Sequence, residues 1–250
     1  CESPNCGAEI PLMRSFWLCK KPNRRQALRP KVMRFEGKPP EVELEIFEPK
    51  DDSEVHGGTV SRAKATCLCC GTVLPAERVR AQLRAQRGGA DADFDAKGAR
   101  TGRARMMAVV TLSQGRQGRN YRLPSDSDYG AVWKAKQRLT LTIKDWQQNG
   151  KNSICPVPDE STPAGGGSGA ARAFSVQKYG MMRWGDLFTA RQKLALLRLV
   201  MGSSDAANST QKTLVSLLMG KAADGNSSLC RWMASCENPV NQFSRAALPI

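Results

Sequence analysis

The sequence predicts an α+β fold in which a β-rich, cysteine-bearing N-terminal part is followed by helices. Three observations predict it. The stretch "EVELEIF" (41–47) alternates Val42, Leu44 and Ile46 with Glu41, Glu43 and Glu45, the period-two pattern of a half-buried strand. The frame Cys-Gly-x-x-Ile/Leu-Pro occurs twice, at Cys6–Pro11 and at Cys70–Pro75. Beyond residue 75 helix-forming composition sets in, first in "AERVRAQLRAQR" (76–87) and again in "WGDLFTARQKLALLRLVMG" (184–202).

In chain order, "SFWLC" (15–19) and "ALRPKVMRF" (27–35) are strands that precede 41–47. Residues 76–87 follow a proline and place Val79 and Leu83 one turn apart, as a helix with one inward stripe requires. "GGADADFDAKGARTG" (88–102) is a loop, "RMMAVVTL" (105–112) a buried strand, and "NYRLP" (120–124) its partner. "SDSDYGAVWKAKQRLTLTIKDW" (125–146) is an amphipathic helix capped by Ser125 or Asp126, with Val132, Leu139 and Ile143 turned inward. The Pro/Gly-rich 155–173 reads as a linker. A strong helix starts near Asp186, a weaker one covers 205–220, and the end, "NPVNQFSRAALPI", carries no closing element. Four regions result: 1–87 with its trailing helix, a small α+β region over 88–154, a linker and aromatic-basic segment over 155–183, and a helical segment over 184–250.

The two repeated frames carry the chemistry. A structural zinc takes four thiolates in a tetrahedron, and two turns that each present two cysteines supply them. Cys1-x4-Cys6 and Cys67-x2-Cys70 provide such halves, each followed by a glycine suited to a tight turn. The repeat gives Cys70 the role of Cys6, makes Cys67 its x2 partner, and leaves Cys69 spare. Cys1, Cys6, Cys67 and Cys70 are therefore the expected zinc ligands of a ribbon-like region, with the intervening strands as an insert. Cys19, Cys155, Cys230 and Cys236 have no partner spacing and read as small apolar residues. Nine cysteines, odd in number and unevenly spaced, fit a metal site in a reducing cytoplasm better than disulfides. A closed four-sulfur shell leaves no position for water or substrate, and the lone His56, in an acidic turn, offers no Ser-His or Cys-His pair. Since the first residue already belongs to the motif, the chain reads as a fragment of a longer protein.

Thirty-eight Lys and Arg against 23 Asp and Glu give a formal charge of +15. This favours a polyanionic partner, nucleic acid ahead of a membrane, because no apolar run reaches the ~20 residues of a span and no stretch reads as an amphipathic anchor. Charge is patterned: nine bases and one acid lie between Arg14 and Lys38, then seven acids and one base between Glu41 and Glu54, so the acidic block faces the basic one or solvent. Arg80, Arg84 and Arg87 share a helix face and are either phosphate contacts or a solvated surface. Phe174, Tyr179 and Trp184 interleave with Arg172, Lys178, Arg183 and Arg191, a mixture that stacks bases and holds phosphates or else anchors the next helix. "GGGSG" (165–169) is not a phosphate loop: no Gly-Lys-Ser/Thr follows and no apolar strand leads into it.

The blocks "CGAEIPLMRSFWLCKK", "ATCLCCGTVLPAERVRAQLRAQRGGADA", "PVPDE", "GGGSGAARAFSVQKYGMMRWGDLFTARQ" and "NSSLCRW" together resemble the large prokaryotic adenine-specific DNA methylases that carry a zinc-ribbon insert. The resemblance implies a Rossmann-like methyltransferase fold using S-adenosylmethionine, in which this stretch is the insert plus linking helices. It implies that the cofactor glycine motif and the Asp/Asn-Pro-Pro-aromatic motif lie outside these residues. The nearest approach, Asn238-Pro239-Val240-Asn241, lacks the second proline and the aromatic ring. No catalytic residue is expected here. The implied partners are DNA and the remaining domains of the methylase, and the implied settings are restriction-modification or phage defence.

Overall fold

The alternation in "EVELEIF" becomes the third strand of an antiparallel meander: β1 (Trp17–Lys21), β2 (Arg24–Met33) and β3 (Glu41–Phe47). A computed structural model describes residues 1–112, 118–149, 155–165, 175–204 and 208–240. Among these the protein is mixed α and β, with small antiparallel sheets and four α-helices. Register pairs Leu28 with Ile46, Pro30 with Leu44 and Val32 with Val42, setting one apolar face toward the core. Pro30 is tolerated because β1 pairs with β2 only as far as Ala27, so at residue 30 the missing N–H faces an open edge.

Leu28, Val42 and Leu44 close over Phe16, Leu18, Cys6, Ala8, Cys67 and Cys69, the main core. On the other face the register aligns Trp17, Ala27 and Phe47, and cations cover the rings: Lys20 lies 5.0 Å from Trp17 and Arg29 3.8 Å from Phe47. The acidic block does lie against the basic one. Glu45 receives Lys31 at 2.6 Å and Arg29 at 4.0 Å, and Asp52 receives Lys20 at 2.5 Å and Arg25 at 3.4 Å.

A second three-stranded sheet, β4 (Val60–Ser61), β5 (Lys64–Thr66) and β6 (Val73–Leu74), leads into α1 (Ala76–Ala85). Val79 of α1 packs with Val60, Ala65 and Leu74 in a small separate core. Residues 88–102 are not a plain loop. β7 (Ala92–Phe94) and β8 (Arg100–Arg103) form a hairpin, its turn fixed by Asp95, whose Oδ1 accepts from the amides of Lys97 and Ala99. Strands of three and four residues with no apolar alternation gave no periodic signal.

β9 (Val109–Leu112) pairs with β10 (Arg119–Arg122), as the sequence predicts. The strand is shorter than 105–112 and is not buried: Val110 is 38% exposed and Leu112 76%, because a two-stranded ribbon has no layer covering both faces. α2 (Asp126–Asn149) buries Leu139 and half-buries Val132 and Ile143. Its entry is fixed by Asp128, which accepts from the Ser125 amide and hydroxyl and pairs with Arg122.

The helix expected to start near Asp186 begins later. Trp184–Leu187 form a 3-10 turn, and α3 (Ala190–Ser204) begins after a capping box in which Thr189 and Gln192 exchange side-chain-to-amide bonds. α4 (Ser209–Gly225) is capped by Asn208. The chain then closes with a hairpin that the sequence reading lacks, β11 (Arg231–Met233) and β12 (Asn238–Val240). Its turn carries Glu237, 1% exposed, which binds Lys21, Arg24 (3.1 Å) and the Tyr121 hydroxyl (2.8 Å), while Trp232 Nε1 donates to Leu18 O at 2.6 Å. These bonds fasten the closing hairpin to β1 and β2. Among the described residues no helix is long and apolar enough to cross a membrane.

Candidate metal centre

Two tight turns, 61 residues apart in sequence, meet at the edge of the main core. In the first, the Cys6 amide donates to Ser3 O at 3.0 Å and Gly7 takes φ +65°. In the second, the Gly71 amide donates to Cys67 O and the Cys67 amide to Thr72 O, both at 2.9 Å, with Gly71 at φ +75°. A side chain at either glycine would hold the left-handed region at a cost, which is why the repeated frame places glycine there. After each glycine the next backbone N–H returns to sulfur: Ala8 to Cys6 and Thr72 to Cys70. The sequence repeat is thus a repeat of hydrogen bonding to sulfur.

The four Sγ atoms of Cys1, Cys6, Cys67 and Cys70 all lie within 4.8 Å of one another. Cys1 and Cys70 are 3.6 Å apart, and Cys6 and Cys67 3.7 Å. A tetrahedral ion with metal–sulfur bonds of ~2.3 Å sets its sulfurs about 3.8 Å apart, so the cluster fits such an ion with little movement. These cysteines can hold a metal ion, and an all-sulfur donor set is compatible with zinc. Cys6 and Cys67 are buried, Cys1 half-buried and Cys70 exposed, so the centre is open to solvent on one side only.

Electrostatics separate the thiols. The hydroxyl and amide of Thr72 draw the Cys70 thiol down to about 7, as a metal ligand requires. At Cys6 the Ala8 amide also pulls down, but burial and the crowding of the Cys70 and Cys67 thiols outweigh it and the net direction is up; a cation at the centre would reverse that crowding. Cys69 is different. Burial, reinforced by Cys67 and Cys6, pushes its thiol up to about 11, and it sits 6% exposed in the core outside the four-sulfur cluster. All nine cysteines are free thiols.

The first turn is bound to α1 by a residue the sequence reading passed over. Glu2, adjoining Cys1, receives Arg78 through Nε (2.9 Å) and Nη2 (2.8 Å) and Gln82 at 2.8 Å. These bonds hold its carboxyl at about 2, well below its ordinary range. An acid next to a cysteine of the cluster and a basic helix 76 residues later is a signal that only folding brings together.

α1 in turn carries the basic residues singled out from sequence. Arg80 lies 5.9 Å from the Tyr179 ring, and Arg84 Nη2 donates to Lys178 O at 3.5 Å, so the 3-10 turn Val176–Tyr179 is docked on this helix. Arg84, Arg87 and Lys178 are exposed, Arg80 half-buried. Tyr179 is 6% exposed, and Trp184 packs against the core of Val176, Met181, Leu187 and Leu229, so both rings support the fold from beneath the charges. Arg183 is exposed beside them, its amide capped by Asp186. Arg172, Phe174 and the glycine run beyond Gly165 lie outside the described residues. His56 is exposed and meets Phe16 edge-on at 5.6 Å.

No protein-family model, no curated protein and no solved structure matches this chain.

Proposed function

We propose that the chain is a zinc-clamped nucleic-acid-binding region, with Cys1, Cys6, Cys67 and Cys70 holding one structural Zn²⁺ and α1 presenting the contact surface. The observation that carries the reading is the continuity from metal centre to helix. Cys1 is a ligand, Glu2 beside it grips Arg78 and Gln82, and the same helix displays Arg84 and Arg87 next to Lys178. Zinc would close the two turns and contribute folding free energy, leaving no open coordination position for a reaction. The exposed arginines and lysine would neutralise phosphates on DNA, with Arg80 and Arg183 flanking them.

In the setting given by the resemblance, this region is the insert and linking part of an S-adenosylmethionine-dependent adenine-specific DNA methyltransferase. It contributes DNA contact and architecture, while cofactor and flipped adenine are held by other parts of the enzyme. The gene on both sides tests this setting directly: it should encode a glycine-rich cofactor loop and an Asp/Asn-Pro-Pro-aromatic tetrapeptide, and the setting fails if neither is there. The alternative is a self-contained zinc-ribbon module without catalysis, favoured if those flanks are missing.

Nucleic-acid binding is tested on the zinc-loaded chain by titrating a fluorescent 20-base-pair duplex at several salt concentrations. The logarithm of the binding constant should fall linearly with log salt, with a slope near −0.9 per phosphate contact. No binding at low salt removes the nucleic-acid role and leaves the metal centre as architecture alone.

A further inference from the structure

The hairpin β7–β8 and the helix α2 border a groove of about 560 Å³, within the ~300–1,000 Å³ range of ligand sites, and none of its lining residues belongs to the four-cysteine cluster. Trp133, Gln137, Thr140 and Leu141 line it as one stripe of α2, and Phe94 of β7 faces them. The indole is held in place by the hairpin turn. Gly98, at φ +85°, lies so close that a Cβ there would stand 2.9 Å from Cδ2 of Trp133, 3.0 Å from Cε3 and 3.3 Å from Cε2. Cδ2 is bonded only to ring carbons, so an atom nearest to it approaches over the face of the ring. The turn therefore covers one face, and the groove, whose lining excludes Gly98, meets the ring on the side left uncovered. Phe94 is set by Lys136, whose ammonium lies 5.8 Å from the ring centroid and donates to Ala92 O at 2.7 Å and to Asp93 Oδ1 at 3.2 Å.

Both rings are half-buried, and Leu141 is 58% exposed. Trp133 Nε1 and the Gln137 amide make no hydrogen bond among the described residues. Free charge around the groove is positive. Lys134 and Lys144 flank the stripe on α2 and Lys97 adjoins Gly98; all three are exposed and make no ion pair among the described residues. The neighbouring acids are engaged: Asp93 is shared between Lys136 and Arg103 (2.7 Å), Asp95 Oδ1 takes the turn amides, and Asp145 Oδ1 takes the Asn149 amide.

We propose that this groove binds single-stranded DNA, with an unstacked base lying on Trp133 against Phe94 and Leu141, and phosphates on Lys97, Lys134 and Lys144. Stacking accepts any base, because each has a π-face, and the Gln137 amide and the indole N–H reach base edges. A duplex keeps its bases paired and stacked, so it offers the indole no free face. The inference rests on the nucleic-acid reading of the chain and not on α1, since strand and duplex are held by different residues.

The zinc-loaded chain is titrated with deca-thymidylate, an abasic ten-mer, deca-uridylate and the 20-base-pair duplex. The chain has five tryptophans, and the indole N–H signal of Trp133 is identified in two-dimensional spectra by its loss in Trp133→Phe. Deca-thymidylate should shift that signal saturably and bind at least fivefold more tightly than the abasic strand, which keeps the phosphates and lacks the bases. The duplex should leave the signal in place. Trp133→Phe keeps a ring and should bind within threefold of the parent, whereas Trp133→Leu should bind at least fivefold more weakly. Replacing the exposed Lys97 and Lys144 together by Gln should leave folding intact and reduce the salt slope by about 1.4, at ~0.7 per phosphate of a single strand. Equal binding by the abasic strand, or shifts confined to the other tryptophans, would overturn the stacking site. Tenfold tighter binding of deca-uridylate would overturn DNA as the occupant. Failure of deca-thymidylate while the duplex still binds overturns the groove alone, and failure of the duplex alone overturns the α1 reading.

Discussion

The Sγ atoms of Cys1 and Cys70 stand 3.6 Å apart although 69 residues separate them, and the intervening chain builds two sheets to bring them there. The four-cysteine cluster, which can hold a metal ion, is therefore a joint between the first turn, the main core and α1. Consequences follow for ligand substitution, thiol reactivity, backbone strain and surface charge.

Cys67→Ser and Cys70→Ser should each abolish stoichiometric metal binding, since three thiolates and a hydroxyl make a far weaker site. Cys69→Ala should keep the metal and lose about 1 kcal/mol of stability, the scale of removing one small group from a packed core. Metal analysis by mass spectrometry with thermal denaturation of each variant checks the pattern.

Alkylation should report the same division. In the metal-free chain, iodoacetamide should label the exposed Cys70 first, whereas the buried Cys69 should label only on unfolding. Loading metal should protect Cys70 without changing Cys69. Peptide mapping reads both.

Gly71→Ala forces a side chain into φ +75° in the second turn. The strain is on the order of 1–3 kcal/mol, and since the turn also aims the Thr72 amide at Cys70, metal affinity should fall with stability. Gly57→Ala, where a methyl group meets nothing within 4 Å, serves as the neutral control. Chelator competition distinguishes the two.

Glu237 links the closing hairpin to β1 and β2 from a site 1% exposed. Burial alone would raise its pKa, but the bonds from Lys21 and Tyr121 and the charge of Arg24 prevail and lower it. A depressed carboxyl contributes stability that is present above its unfolded value, ~4.3, and is lost as pH falls through the folded value. Glu237→Gln should cost roughly 3–5 kcal/mol at neutral pH, and the gap between variant and parent should close in acid. Glu45→Gln, on the exposed sheet face, should cost no more than about 1 kcal/mol. Urea unfolding at pH 7 and pH 3 tests both.

Replacing Arg84, Arg87 and Lys178 together by Gln should weaken duplex binding and reduce the salt slope by about one per phosphate contact removed. Because these side chains are exposed, the melting temperature should change little.

Much of the N-terminal architecture is legible in sequence because its signals are local. The alternation of 41–47, the repeated cysteine-glycine frame and the proline before α1 each act within a few residues, and each reappears in the structure. The short hairpin at 92–103 is invisible to periodicity, and its only local mark is the turn residue Asp95. The start of α3 is written in "TARQ" as a capping box, a signal present in the sequence and outweighed by the apolar run around it. Glu237 and Glu2 are different in kind. Their partners lie 116 to 216 and 76 to 80 residues away, so no window of sequence contains the interaction.

The measurement that tests the central claim most directly is X-ray absorption at the zinc edge on the purified chain, with metal content determined on the same sample. The account predicts one zinc per chain with four sulfur neighbours at ~2.3 Å and no nitrogen or oxygen in the shell. A substoichiometric metal, or a shell containing light-atom ligands, would contradict it.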